Sequence, residues 1–125
     1  MIYNILAVAV AGALGAVSRY GLGSFIQRYF PSGFPGGTLV VNIIGCFLLG
    51  MIASIGFEKF ANPTLKIAII VGLLGSFTTF STFGFDTVSL MQNGHEFKAL
   101  LNILLSVGLG LMAAWLGMIS LRSII

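Results

Sequence analysis

Long runs without a single charge, rather than short apolar patches, set the pattern of this chain. A helix needs about 20 predominantly apolar residues to cross the hydrocarbon core of a bilayer, and four stretches are candidates. The first starts at the N-terminus, meets no charge before Arg19 and continues as Tyr20 to Gln27 up to Arg28. The second lies between Arg28 and Glu58, with its apolar core at Gly36 to Phe57. The third runs from Ile67 to Phe85 between Lys66 and Asp86, and the fourth from Ala99 to Leu121 between Lys98 and Arg122. Nothing of domain size is left over, so residues 1–125 are expected to form one four-span transmembrane domain of all-α class. The N-terminal run lacks a basic region ahead of its apolar part and is read as a retained span rather than a secretory signal.

The connections carry turn chemistry: Pro31-Ser-Gly-Phe-Pro35-Gly-Gly, Ala61-Asn-Pro63 and Gln92-Asn-Gly-His95. Because they are short, consecutive spans must be antiparallel neighbours. Composition supports this picture, since 58% of residues are hydrophobic and 7% charged, against about 25% charged in an average soluble domain. Mean hydropathy is +1.08. The six Lys+Arg and three Asp+Glu give a formal +3, but the basic residues stand singly, without the stripe that phosphate binding needs. Cys46, the single cysteine, has no intrachain disulfide partner and is expected to act as a small packing residue.

The 17 glycines fall largely inside the spans, with small residues one turn apart at Gly12 and Ala16, Ala11 and Gly15, Gly72 and Ser76. Such positions let helix backbones approach closely in lipid. A four-helix chain this small has little interior in which to build a pathway, so a homo-oligomer is expected. Cytoplasmic loops normally carry an excess of Lys and Arg. Here the termini and middle loop hold Lys59, Lys66 and Arg122, and the opposite side Arg28 and Lys98, plus Arg19 if it points that way. The near balance predicts insertion in both orientations and pairing as an antiparallel, dual-topology dimer.

Candidate chemistry concentrates in the third span. Ser76, Thr78, Thr79, Ser81 and Thr82 alternate with Phe77, Phe80, Phe83 and Phe85 within ten residues. Two readings are open. The Ser, Thr and Gly content permits a break from helical bonding, which is tolerated at membrane depth only inside protein or beside a water-filled path. Carbonyls freed by such a break can coordinate a hard cation such as sodium. Alternatively, the hydroxyls bond back to the preceding turn and the rings pack into neighbours. Phe80 and Phe83 share a helical face. Ring edges are electropositive and can face an anion, although core packing produces the same spacing.

In the second span Thr38 and Asn42 lie one turn apart, and the carboxamide of Asn42 can donate to an anion or join helices. Asn102 and Ser106 in the fourth span can extend a polar track or serve as interhelical glue. Arg19 is the charge clearly inside an apolar run, where it can concentrate anions at a vestibule or anchor at the interface, with Asp86 and Glu58 as candidate partners. No acid lies mid-membrane, which removes the carrier group of a proton-coupled exporter. His95 stands alone in a turn, and no Ser/His/Asp set or His/Glu pair is present to build a catalytic or zinc site. An enzyme is not expected.

Three motifs carry a resemblance: Gly15-x-x-Ser18-Arg19-Tyr20, Gly37-Thr38-Leu-x-Val-Asn42-x-x-Gly45-x-Phe47, and Gly72-x-x-Gly75-x-x-Thr78-Thr79-Phe80-Ser81-Thr82-Phe83. Across essentially its whole length the chain resembles the Fluc-type fluoride channels of the CrcB family. The resemblance implies an antiparallel, dual-topology homodimer in the inner (plasma) membrane, with two fluoride pores and the third helix broken in mid-membrane. Fluoride would leave the cytoplasm passively down its electrochemical gradient. Phe80 and Phe83 would line the path by their ring edges and Asn42 would donate to fluoride, with Thr38, Thr79 and Ser106 along the polar track and Arg19 near a vestibule. Backbone carbonyls of Gly75 and Thr78 from both subunits would hold a structural sodium ion at the dimer centre. The chain departs from the family pattern at Gly84 and Asp86, where Ser and Glu are frequent, and at Asn102, where Tyr is frequent.

Overall fold

Turn chemistry delimits the helices more sharply than charge does. In the computed structural model, which describes residues 1–60 and 62–122, α1 spans Ile2–Gln27, α2 Gly36–Ile55 and α6 Glu96–Ser120. The third span, Pro63–Gln92, is composite: α3 (Pro63–Ile67), a π-helical stretch (Ala68–Leu74), α4 (Gly75–Phe77) and α5 (Phe80–Gln92). All four spans are long and apolar enough to cross a membrane.

The expected edges of the third span at Lys66 and Asp86 are corrected outward at both ends. Asn62 caps the start, its Oδ1 accepting from the Thr64 and Leu65 amides at 2.9 and 3.3 Å, with Pro63 in the first turn. Ala61, in the same turn, lies outside the described residues. At the far end Gly94 has φ +79, and the His95 and Gly94 amides donate to Leu90 and Met91 carbonyls at 2.8 and 3.2 Å. This is a Schellman closure, which needs the left-handed conformation that glycine adopts without strain. Lys66 and Asp86 therefore sit within the helical path. The second helix likewise stops at Ile55, short of Phe57, because Gly56 turns away with φ +96.

The helices are held by close backbone approach rather than by a large core. The most extensive pairing is α2 against α6. There a Cβ on Gly50 would collide with the Ala114 carbonyl, and one on Gly117 with the Phe47 carbonyl. Gly15 packs on the Leu73 carbonyl and Gly37 on the Gly23 carbonyl in the same way. Val41 and Asn102 are the large side chains that are fully buried. Leu14, Val17, Leu104, Leu111 and Trp115 all stand exposed, a surface far too apolar for water and suited to lipid. The molecule is a multi-pass membrane protein.

Candidate functional site

Helical backbone conformation along the third span is interrupted at two residues. Thr78 (φ −96, ψ 158) and Thr79 (φ −151, ψ 118) are extended, and α5 begins at Phe80. Extended backbone suits β-branched threonine, but each displaced amide and carbonyl must find another partner, because an unpaired one inside a span costs several kcal/mol. Asn42 supplies two of them. Its Nδ2 donates to the Thr79 carbonyl at 3.0 Å, and its Oδ1 accepts from the Thr79 amide at 2.8 Å. Thr79 Oγ1 then caps α5 by accepting from the Thr82 amide at 3.2 Å. Arg19 Nε donates to the Ser76 carbonyl at 3.0 Å. Gly45 leaves room for the Thr78 methyl group, which a Cβ there would strike.

The hydroxyls of this region divide between two roles. Thr78 Oγ1 bonds back to the Leu74 carbonyl at 3.1 Å and Thr87 Oγ1 to the Phe83 carbonyl at 2.7 Å. Thr79 instead serves the interruption. Arg19, for which acidic partners were considered, has a neutral carbonyl as its hydrogen-bond acceptor, so that contact does not cancel its charge.

Beside the interruption lies a cavity of about 340 Å³, lined by Asn42, Gly45, Cys46, Leu49, Ile70, Leu74, Gly75, Thr78, Thr79, Phe80, Phe83, Ser106 and Val107. It gathers Phe80, Phe83, Asn42, Thr79, Ser106, Gly75 and Thr78 from three spans. The Phe80 and Phe83 rings stand 5.7 Å apart between centroids, tilted by 45°, and Phe80 is 82% exposed. No charged side chain lines this cavity. Its polar groups are neutral: the hydroxyls of Thr78, Thr79 and Ser106, backbone, and the Asn42 carboxamide, which has a second N–H beyond the one given to Thr79.

Thr38 and Arg19 lie elsewhere. Both line a second cavity of about 220 Å³ along α1 and α2. Thr38 also borders a third, of about 490 Å³, between the first turn and the end of α5, where Asp86 and His95 stand. Thr38 and Asn42 share a helix face but open into different spaces. Ser106 Oγ donates to Asn102 Oδ1 at 3.4 Å, and Asn102 Nδ2 donates to Thr87 Oγ1 at 3.0 Å. Asn102, 2% exposed, thus joins α6 to α5. Thr87 and Gln27 were not singled out from the sequence. The signal for Thr87 was its place one turn beyond Phe83, and for Gln27 an amide at a helix end before a Pro-Gly turn.

The carbonyls of Gly75 and Thr78 suit a hard cation. In an unbroken helix the Thr79 amide would bond to Gly75 O, and the Thr82 amide to Thr78 O. Here those amides are directed to Asn42 Oδ1 and Thr79 Oγ1, which leaves both carbonyl oxygens with lone pairs to share. Neutral oxygen donors match an alkali cation. Among the described residues no group of three His, Cys, Asp or Glu could hold a metal ion.

Four membrane-length helices, three of them bordering a cavity of aromatic rings and neutral polar groups, define a small multi-pass membrane protein. Residues 6–118 match the family described as CrcB-like protein, Camphor Resistance (CrcB), and the chain belongs to that family. Among its relatives, proteins named "Fluoride-specific ion channel FluC" from Shewanella putrefaciens and Shewanella denitrificans are 48% and 46% identical over 114 residues. Those matches cover 91% of this chain and 92% of each relative.

Proposed function

We propose that the chain is a fluoride-selective ion channel of the inner (plasma) membrane, which lets cytoplasmic fluoride leave passively down its electrochemical gradient and so confers fluoride resistance. The relatives are named as channels, not enzymes, in keeping with the lack of catalytic motifs in the sequence. The observation that carries the reading is the meeting of Phe80, Phe83, Asn42, Thr79 and Ser106 around one uncharged cavity. Fluoride is small and strongly hydrated, so a path must replace its water shell with donors weak enough to release it again. Ring edges, hydroxyls and one carboxamide N–H meet that need better than a buried ammonium, which would trap the ion. Arg19 and Thr38 belong on this reading to the approach, where a positive charge raises the local anion concentration.

The working unit is an antiparallel, dual-topology homodimer with two pores, its third helices broken at mid-membrane. Support comes from the open side of the cavity: Phe80 is largely exposed in the single chain and Gly75 is exposed beside it, so a second copy would complete the enclosure. A structural sodium ion at the dimer centre would be held by Gly75 and Thr78 carbonyls from both copies, where it would offset the dipoles of oxygens whose usual helical donors are directed elsewhere.

The test is fluoride efflux from liposomes reconstituted with the purified protein, read by a fluoride electrode, with chloride as the control anion. Fast fluoride release that chloride does not share, and that Phe80→Ile abolishes, is expected. A folded dimer that releases no more fluoride than empty liposomes overturns the reading.

A further inference from the structure

We infer that Gln27 is a positioning residue of the anion route: its carboxamide fixes the first turn of α2 and thereby places Thr38 between two cavities. Gln27 closes α1, and both ends of its side chain reach across the turn that follows. Its Nε2 donates to the Phe34 carbonyl at 2.7 Å, and its Oε1 accepts from the Gly37 amide at 2.9 Å. That amide is one of the first-turn donors of α2 that have no helical acceptor, and the N-cap residue Pro35 makes no side-chain cap. A residue ten positions earlier, on another helix, therefore takes the capping role. The neighbouring amides of Gly36 and Leu39 bond to Phe34 and Pro35 carbonyls, and Gly37 lies against the Gly23 carbonyl. The turn, the end of α1 and the start of α2 are thus one hydrogen-bonded corner.

Gln27 and Thr38 are the two residues that line both the cavity holding Asp86 and His95 and the cavity holding Arg19. Thr38 directly follows Gly37, so the bond from Gly37 to Gln27 also sets where its hydroxyl stands. On the channel reading, an ion moving between the cavity holding Asp86 and His95 and the Arg19 cavity would pass that hydroxyl. This role rests on the channel reading above and adds to it a residue outside the cavity at the helix interruption.

The test uses the full-length protein in liposomes. Gln27→Leu is expected to slow fluoride efflux roughly tenfold or more, the scale on which misplacing a positioning group acts, while the dimer elutes unchanged and chloride stays excluded. Gln27→Glu separates positioning from misfolding within one preparation. Its protonated carboxyl can donate to Phe34 O and accept from Gly37 N–H, whereas its carboxylate cannot donate and repels an anion. Efflux of this variant, relative to wild type, should be low at neutral pH and recover as the same vesicles are acidified through the ordinary glutamate pKa of about 4.3, with empty vesicles correcting for leak of the neutral acid. The wild-type profile over that range accounts for the other groups facing these cavities and the turn: Asp86, His95, Arg19, and Lys98 near Gly33. Thr38→Val should slow efflux too, and the Gln27→Leu, Thr38→Val double variant no further than the slower single. Wild-type rates in Gln27→Leu, a Gln27→Glu profile parallel to wild type, or multiplying effects in the double variant overturn the inference. No efflux from wild type overturns the channel reading itself.

Discussion

The α2–α6 contact and the interruption in the third span solve opposite problems in the same solvent. Between α2 and α6, Gly50 and Gly117 remove side chains so that backbones touch, and every helical hydrogen bond stays internal. Past Thr78, whose amide still bonds to the Leu74 carbonyl, helical bonds are given up, and side chains from other helices take their place at Thr79 and at the Ser76 carbonyl. Asn42 reaches Thr79 and Arg19 reaches Ser76, across 37 and 57 residues of sequence. Lipid tails are as apolar as leucine, so packing geometry and satisfied polar groups remain to hold helices together. The first region is a scaffold made by absence of atoms; the second is a site made by their exact-partner hydrogen bonds.

Substitutions can break this contrast, and the largest effect is expected at Asn42. Asn42→Leu leaves the Thr79 amide and carbonyl both without partners, at about 1–3 kcal/mol for each unsatisfied group. A fall of the thermal midpoint together with loss of fluoride efflux is the expected outcome. Unchanged stability would mean that the extended pair holds itself. Next comes Gly117→Ala, whose Cβ meets backbone that no rotamer change can relieve, at about 1–3 kcal/mol for overpacking. It should lower the thermal midpoint of the purified protein without changing anion selectivity. Thr79→Val keeps the shape but removes the α5 cap, at about 1 kcal/mol, and Thr79→Ser should restore it. The smallest effect sharpens the glycine argument: nothing lies within 4 Å of a Cβ on Gly108, nine residues before Gly117 on the same helix. Gly108→Ala should be neutral or raise stability by up to about 1 kcal/mol through helix propensity, and a strong loss would show that another copy packs there.

Much of this architecture was legible in the residues. Charge-free runs located the four spans, and Asn62-Pro63 and Asn93-Gly94 marked turns whose caps the structure displays. Span ends were less legible, because Lys66 and Asp86 look like boundaries yet a capped helix carries straight through both. Five of the residues proposed for the path, Asn42, Thr79, Phe80, Phe83 and Ser106, do border one cavity. Thr38 and Arg19 do not. One-turn spacing puts Thr38 and Asn42 on the same face of α2, but over one helical turn of rise a face can pass from one cavity to the next.

The sequence by itself determined that this chain is a bundle of four membrane-length helices, because hydropathy over some 20 residues and local turn chemistry act without regard to distant partners. Only the tertiary structure decided which polar groups meet. From its own span Thr79 can bond backward or cap forward with equal local sense. Its role is settled by an amide 37 residues away, and hydrogen bonds between helices depend on rotation and depth, which no local pattern encodes.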